Sequence, residues 1–143
     1  MSKNKISRSE IRDSAFKLIF EKLLRDDDMQ ELYETAEEVE EIIVNDDVKK
    51  MVDGTLAKVD EIDGIIEKYS KSRKLSRISK LNRAILMLAL YECIYDDRVP
   101  DSVAISEAVN LANIYSYKED ANFINGLLGA FNRDRKASED ENA

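Results

Sequence analysis

The sequence predicts an all-α fold of six or seven helices. Apolar residues recur at three- and four-residue spacing along most of the 143-residue chain, which is the period of a buried helix face. One proline and four glycines give too little punctuation for the many turns of a β-sandwich. No stretch alternates apolar and polar residues over strand length, and no internal repeat is visible. A chain this long has the size of one domain and can bury a core of its own.

Ser7-Arg8-Ser9-Glu10 has the spacing of a capping box, in which Ser7 caps a helix and Glu10 reaches back. Ile11, Ala15, Leu18, Ile19 and Leu23 continue at helical spacing to about Arg25. A weaker stripe of Leu32, Ala36, Val39 and Ile43 crosses the acidic segment that follows. Asn45 then caps one long helix with the stripe Val48, Met51, Val52, Leu56, Val59, Ile62, Ile66 and Tyr69. Gly54 and Gly64 lie inside that helix.

Residues 84–95, AILMLALYECIY, are apolar nearly all round, so this helix is surrounded by others and forms the centre of the fold. Pro100 opens the next helix, where its missing N–H costs nothing. Val103, Ile105, Ala108, Val109, Ala112 and Tyr115 form its stripe, with Ala104 and Ala108 allowing close approach. Ser116-Tyr117-Lys118-Glu119 repeats the capping-box spacing, and Phe123, Ile124, Leu127, Leu128 and Phe131 mark the last buried face. Residues 1–6 read as a mobile basic N-terminus and residues 7–132 as the helical domain. From Arg133 charges mix without periodicity, so residues 133–143 read as a disordered tail.

The composition argues against catalysis. No histidine is present, which removes the commonest general base and leaves Cys93 without a histidine partner. No glycine-rich phosphate loop and no paired-cysteine metal spacing appear. Asp26-Asp27-Asp28 and Asp46-Asp47 sit at apparent helix ends, where carboxylates serve the helix dipole. The expectation is a binding protein with no catalytic residue, no metal and no cofactor. Cys93 lies in an apolar run and reads as a small buried hydrophobe, and a chain with one cysteine forms no internal disulfide. With no membrane-spanning apolar run and no signal sequence, the expected location is the cytoplasm.

Charge is segregated. The chain carries a formal net charge of −8 and has a pI of about 4.7. Residues 1–25 nevertheless hold seven cations against three carboxylates, and residues 26–47 hold eleven carboxylates and no cation. KSRKLSRISKLNR, residues 71–83, holds six cations and no carboxylate. Two basic segments in an acidic chain suggest one side that faces a polyanion. Ordinary solvated helix faces account for such charge runs equally well, so the polyanion-facing side is one of two readings at this point. Ile78, Leu81 and Ile85 mark the inner face of a helix through the band, which turns Lys80 and Arg83 outward.

Three stretches carry a family resemblance. RVPDSVAISEAVNLAN, residues 98–113, resembles the NusB transcription antitermination factor family, with Ser106 where Asn is usual. Phe123-Ile124-Asn125-Gly126-Leu127-Leu128 is similar to that family's Phe-Val-Asn-Gly-Val-Leu. Residues 83–92 are similar to its central helix, with Met87 in place of a usual Arg. The resemblance extends from about Arg8 to Leu128.

The resemblance implies two small helical bundles packed together and an RNA-binding factor without enzymatic activity. Its implied partners are boxA-type single-stranded RNA, the ribosomal protein NusE, the transcription elongation complex and, in some members, a second copy. The implied role is read-through of termination signals in ribosomal RNA operons. Carried over position by position, the RNA candidates are Arg8, Arg12, Lys80, Asn82, Arg83 and Phe123, with Lys3 and Lys5 added from the basic start. Ser9 and Glu10 stand where the family often continues with arginine, so tight binding is expected only with NusE. Partner-facing candidates are Phe20, Leu24 and Glu119; Phe20, Leu24 and Phe123 equally fit a core by spacing. Two other readings are an accessory domain like that of some ribosomal RNA cytosine methyltransferases, and a protein–protein adaptor that never touches RNA. The chain lacks a catalytic domain for the former.

Overall fold

The computed structural model describes residues 5–141. Seven α-helices and one 3₁₀ turn account for the regular structure among them, and no strand is present. The chain divides into two units, Met1–Ala57 and Lys58–Ala143.

The first unit holds α1 (Arg8–Arg25), α2 (Met29–Ala36) and α3 (Asp46–Ala57). The capping box forms as its spacing predicts. Ser7 Oγ accepts the Glu10 N–H at 3.1 Å, and the Ser7 N–H donates to Glu10 Oε1 at 3.1 Å. α1 packs on α2 and α3 and buries Ala15, Phe16, Leu18 and Ile19. It stops at Asp26, which adopts the left-handed φ of 53° and donates its N–H to the Lys22 carbonyl.

α2 is shorter than its apolar stripe predicts. Glu37, Glu38, Glu40 and Glu41 crowd negative charge at its C-terminal end, where the dipole opposes it. Val39 is therefore exposed outside the helix, and the Ile43 N–H donates to the buried Ser14 Oγ at 2.8 Å. The Tyr33 hydroxyl joins α2 to α3 by donating to Asp53 Oδ1 at 2.6 Å. Asn45 caps α3 as expected, its Oδ1 accepting the Val48 N–H at 2.8 Å.

The single long helix expected from Asn45 to Tyr69 is two helices. α3 ends at Ala57, and α4 (Val59–Tyr69) begins after Lys58, whose φ −111° and ψ 18° leave the helical basin. Neither glycine is the break. Thr55 Oγ1 donates to the Met51 carbonyl at 2.7 Å one turn earlier, a bond of the kind that bends helices.

The second unit holds α4, the 3₁₀ turn (Leu75–Arg77), α5 (Lys80–Tyr95), α6 (Asp101–Tyr115) and α7 (Lys118–Glu141). α5 is packed by α4, α6 and α7, and every residue from Ala84 to Leu90 is buried, as an all-round apolar helix requires. Cys93 is buried on the same helix, and burial first, then the nearby Asp101 carboxylate, pushes its thiol up to about 12.

α6 presents a different face from the one its bulky residues predict. Ala104, Ala108, Leu111 and Ala112 are buried, while Val103 and Tyr115 are exposed. Its neighbours α5 and α7 approach over the small residues, so alanines rather than the largest side chains define the inner face.

The start of α7 also departs from expectation. The Ser116 hydroxyl and the Tyr117 N–H donate to Asp120 Oδ2 at 2.6 and 3.4 Å, so the closing carboxylate is Asp120 rather than Glu119. α7 then continues to Glu141, through most of the segment expected to be a disordered tail. Polar anchors hold it there. Arg135 Nη1 donates to the Cys93 carbonyl at 2.5 Å and lies 3.3 Å from both Asp101 carboxylate oxygens. The Tyr69 hydroxyl donates to Asp134 at 2.8 Å. No helix among the described residues is long and apolar enough to cross a membrane.

Candidate nucleic-acid interface

The candidate cations of the first unit lie at the start of α1. Lys3 is outside the described residues, Lys5 is exposed just before the helix, and Arg8 is half-buried at its first position. Arg12 is different. It is only 4% exposed, so its guanidinium does not present an open surface to phosphate. Its spacing holds the reason: Arg12 stands three and four residues before Ala15 and Phe16, both buried, and so shares the inner stripe. Phe20 is half-buried and stacks on Phe16 with centroids 6.1 Å apart and planes 4° from parallel, whereas Leu24 is 51% exposed.

The basic band belongs to the second unit and is mostly a loop, not the helix its apolar residues suggest. α4 ends at Tyr69, the chain bends through 71–73 and turns at Leu75–Arg77, and Ile78 is buried. Ser79 then caps α5, its Oγ accepting the Asn82 N–H at 3.1 Å. Only Lys80 and Arg83 of the six cations lie on α5.

The six cations divide by what they touch. Arg83 donates through Nε and Nη2 to both carboxylate oxygens of Asp63 on α4, at 3.0 and 2.5 Å. It is a strut between helices, which corrects the expectation that it points freely outward. Arg73 donates to Asp120 Oδ1 at 2.9 Å while its guanidinium lies 4.3 Å from the centre of the Phe123 ring. That contact accounts for the half-buried Phe123 as a support for Arg73. Lys71, Lys74, Arg77 and Lys80 are exposed, and their side chains have no ion pair or hydrogen bond among the described residues.

Asn82 is buried at 1% exposure, with its side-chain amide 3.1 Å from the Ser116 Oγ. It braces the start of α7 and offers no edge to RNA, in contrast to its expected place at the RNA surface. The Asp120 carboxyl is held below its ordinary range, chiefly by the Ser116 hydroxyl bond, against the opposing effect of burial, with Arg73 adding to the lowering. Glu119, the partner-facing candidate, is exposed in the first turn of α7.

Two open basins flank Arg73. One, of about 990 Å³, is lined by Lys71, Lys74 and Lys80 and the hydroxyls of Ser70, Ser72 and Ser76, with the Glu67 carboxylate as a single negative group among the cations. The other, of about 580 Å³, is lined by Arg77, Ile114, Tyr115 and Tyr117, among others. Arg73 lines both. The first is suited to phosphate, since mobile ammonium groups and hydroxyls supply donors without a fixed geometry. No group of three or more His, Cys, Asp or Glu side chains suited to a metal ion occurs among the described residues. Sequence reasoning singled out the band but not which of its cations would be unpaired, because Asp63 and Asp120 are distant in the chain. Nor did it single out Tyr117, an exposed aromatic side chain inside the turn that caps α7.

Comparison with known proteins agrees with this architecture. The model of the NusB family matches residues 9–133. The transcription antitermination protein NusB of Acetivibrio thermocellus is 42% identical over 139 residues, covering 96% of each chain. Its counterpart in Ruminiclostridium cellulolyticum is 38% identical over 125 residues, covering 86% of each. Among solved structures, NusB of T. maritima matches with a TM-score of 0.78 at 28% identity, covering 89% of this chain and 91% of that one. A crystal structure of the antitermination factors NusB and NusE in complex with dsRNA matches with a TM-score of 0.75 at 29% identity, covering 86% of this chain and 93% of the other. This chain belongs to the NusB family.

Proposed function

We propose that this chain is a transcription antitermination factor. It binds boxA-type single-stranded RNA together with the ribosomal protein NusE, as part of the elongation complex reading ribosomal RNA operons. It acts in the cytoplasm as a binding factor and catalyses no reaction. The observation that carries the reading is the division of the basic band. Two of its arginines hold the fold together, whereas Lys71, Lys74, Arg77 and Lys80 stay exposed and unpaired in a chain of net charge −8. Unpaired cations of one sign in an acidic protein favour a polyanionic ligand.

The names of the relatives and the NusB–NusE–dsRNA structure support the same partners. Lys5 and Arg8 of the first unit, with Lys3 before them, supply further charge, and Phe20, Leu24 and Glu119 are offered to NusE. Four lysine or arginine contacts on a single strand give a log–log salt slope of roughly −3, modest for a nucleic-acid binder, so NusE supplies the remaining affinity.

The test is affinity for boxA-like, scrambled and double-stranded RNA at fixed salt, with and without saturating NusE. Preference for the boxA-like single strand, strengthened by NusE, is expected. Binding indifferent to both sequence and NusE would favour the adaptor reading.

A further inference from the structure

We propose that Tyr117, with Tyr115 and Ile114 beside it, is a platform on which unpaired RNA bases stack. The proposal rests on the RNA reading above and adds a subsite to it. Tyr117 is 76% exposed and Ile114 61%, and among the described residues the Tyr117 ring has no hydrogen bond or ring contact. The ring, the isoleucine and Tyr115 line one basin, where they give an apolar floor open to an occupant.

The surroundings indicate the occupant. The basin lined by Ile114, Tyr115 and Tyr117 is also lined by Arg77, which is exposed and unpaired. It meets the lysine-lined basin at Arg73, which lines both. Arg73 is fixed on two sides, by the Asp120 carboxylate and the Phe123 ring, so the wall between the basins is rigid. A strand with its phosphates along Lys71, Lys74 and Lys80 would pass Arg73 and bring its next bases over the two tyrosines, with Arg77 on the phosphate between. Cation beside aromatic face is the arrangement that binds single strands, because every base has a π-face. A duplex has no free faces to offer, so the platform selects unpaired RNA.

The experiment compares wild type with Tyr117→Ala, Tyr117→Phe, Arg77→Gln and Lys80→Gln, all in the presence of NusE. Tyr117→Ala is expected to weaken single-stranded RNA about 5- to 100-fold with its salt slope unchanged, while Tyr117→Phe keeps the affinity. Arg77→Gln and Lys80→Gln should each flatten the slope by about 0.7. The chain has no tryptophan and six tyrosines, so RNA should quench tyrosine emission less in Tyr117→Phe than in wild type. Unchanged affinity in Tyr117→Ala, with Lys80→Gln still weakened, would overturn the platform and leave the RNA reading standing. Loss of NusE capture without loss of RNA affinity would make the patch a protein contact and equally overturn it. Failure of the wild type to bind any RNA with NusE present would remove both.

Discussion

Arg83 grips Asp63 through two parallel hydrogen bonds, Nε to Oδ1 at 3.0 Å and Nη2 to Oδ2 at 2.5 Å, and so fastens α5 to α4. Both side chains are less than one-quarter exposed. A forked arginine–carboxylate pair in that setting is among the stronger polar contacts a protein makes. Arg83→Ala should lower unfolding stability by about 1–3 kcal/mol, read as a reduced denaturant midpoint at unchanged slope. RNA affinity measured well below that midpoint should change less than it does in Lys80→Gln. A larger RNA defect than Lys80→Gln with full stability would return Arg83 to the RNA surface.

Lys71, Lys74 and Lys80 should behave in the opposite way. Their joint replacement by Gln removes three exposed charges with no partner among the described residues. Stability should stay within about 0.5 kcal/mol of wild type. The log–log salt slope of RNA binding should flatten by about 2. An unchanged slope would show that the lysine-lined basin is not on the RNA path.

Cys93 predicts an alkaline limit. Its thiol is pushed from 9.0 up to about 12 in the fold, chiefly by burial. The folded state therefore holds this proton where the unfolded state has released it. The stabilisation is complete below about pH 9 and is lost as pH rises toward 12, at about 1.4 kcal/mol per pH unit between the two values. Stability of Cys93→Ala, measured beside wild type from pH 7 to 10.5, should fall less steeply above pH 9. Native Cys93 should also react with a thiol reagent at least about a hundred-fold more slowly than in denaturant.

Removal of residues 133–143 tests whether the end of α7 is structural. The deletion discards Arg135 and Asp134, and with them the bonds to the Cys93 carbonyl, Asp101 and Tyr69. A loss of about 2–3 kcal/mol and faster labelling of Cys93 are expected. A truncated chain as stable as the full one would restore the reading of a disordered tail.

What was legible in the sequence depended on distance along it. The Ser7–Glu10 box and the Asn45 cap are decided within three residues, and both formed as read. α5 was legible because a helix with no polar face has no alternative to being surrounded. The fate of the band was not, because Arg73 is settled by Asp120 forty-seven positions away and Arg83 by Asp63 twenty positions away. The end of α7 failed for the same reason, since Arg135 is anchored forty-two positions upstream and no apolar period announces it. The break at Lys58 was not legible because the apolar stripe runs straight through it, and a hydroxyl bond from Thr55 marks the bend.

Because the division at Lys58 separates two uninterrupted stretches of chain, a ribosome completes the first before it begins the second. At roughly 5–20 residues per second, α1–α3 are synthesised several seconds before α7 is complete. The bonds that join Tyr33 to Asp53 and Ile43 to Ser14 lie within the first unit's 57 residues, so both can form before later chain emerges. The second unit has no such early start. Arg73 meets Asp120, and Arg135 meets Cys93, only when the last helix emerges. During synthesis Arg83 therefore emerges after its partner Asp63, whereas Arg73 precedes Asp120 and is restrained last, by α7.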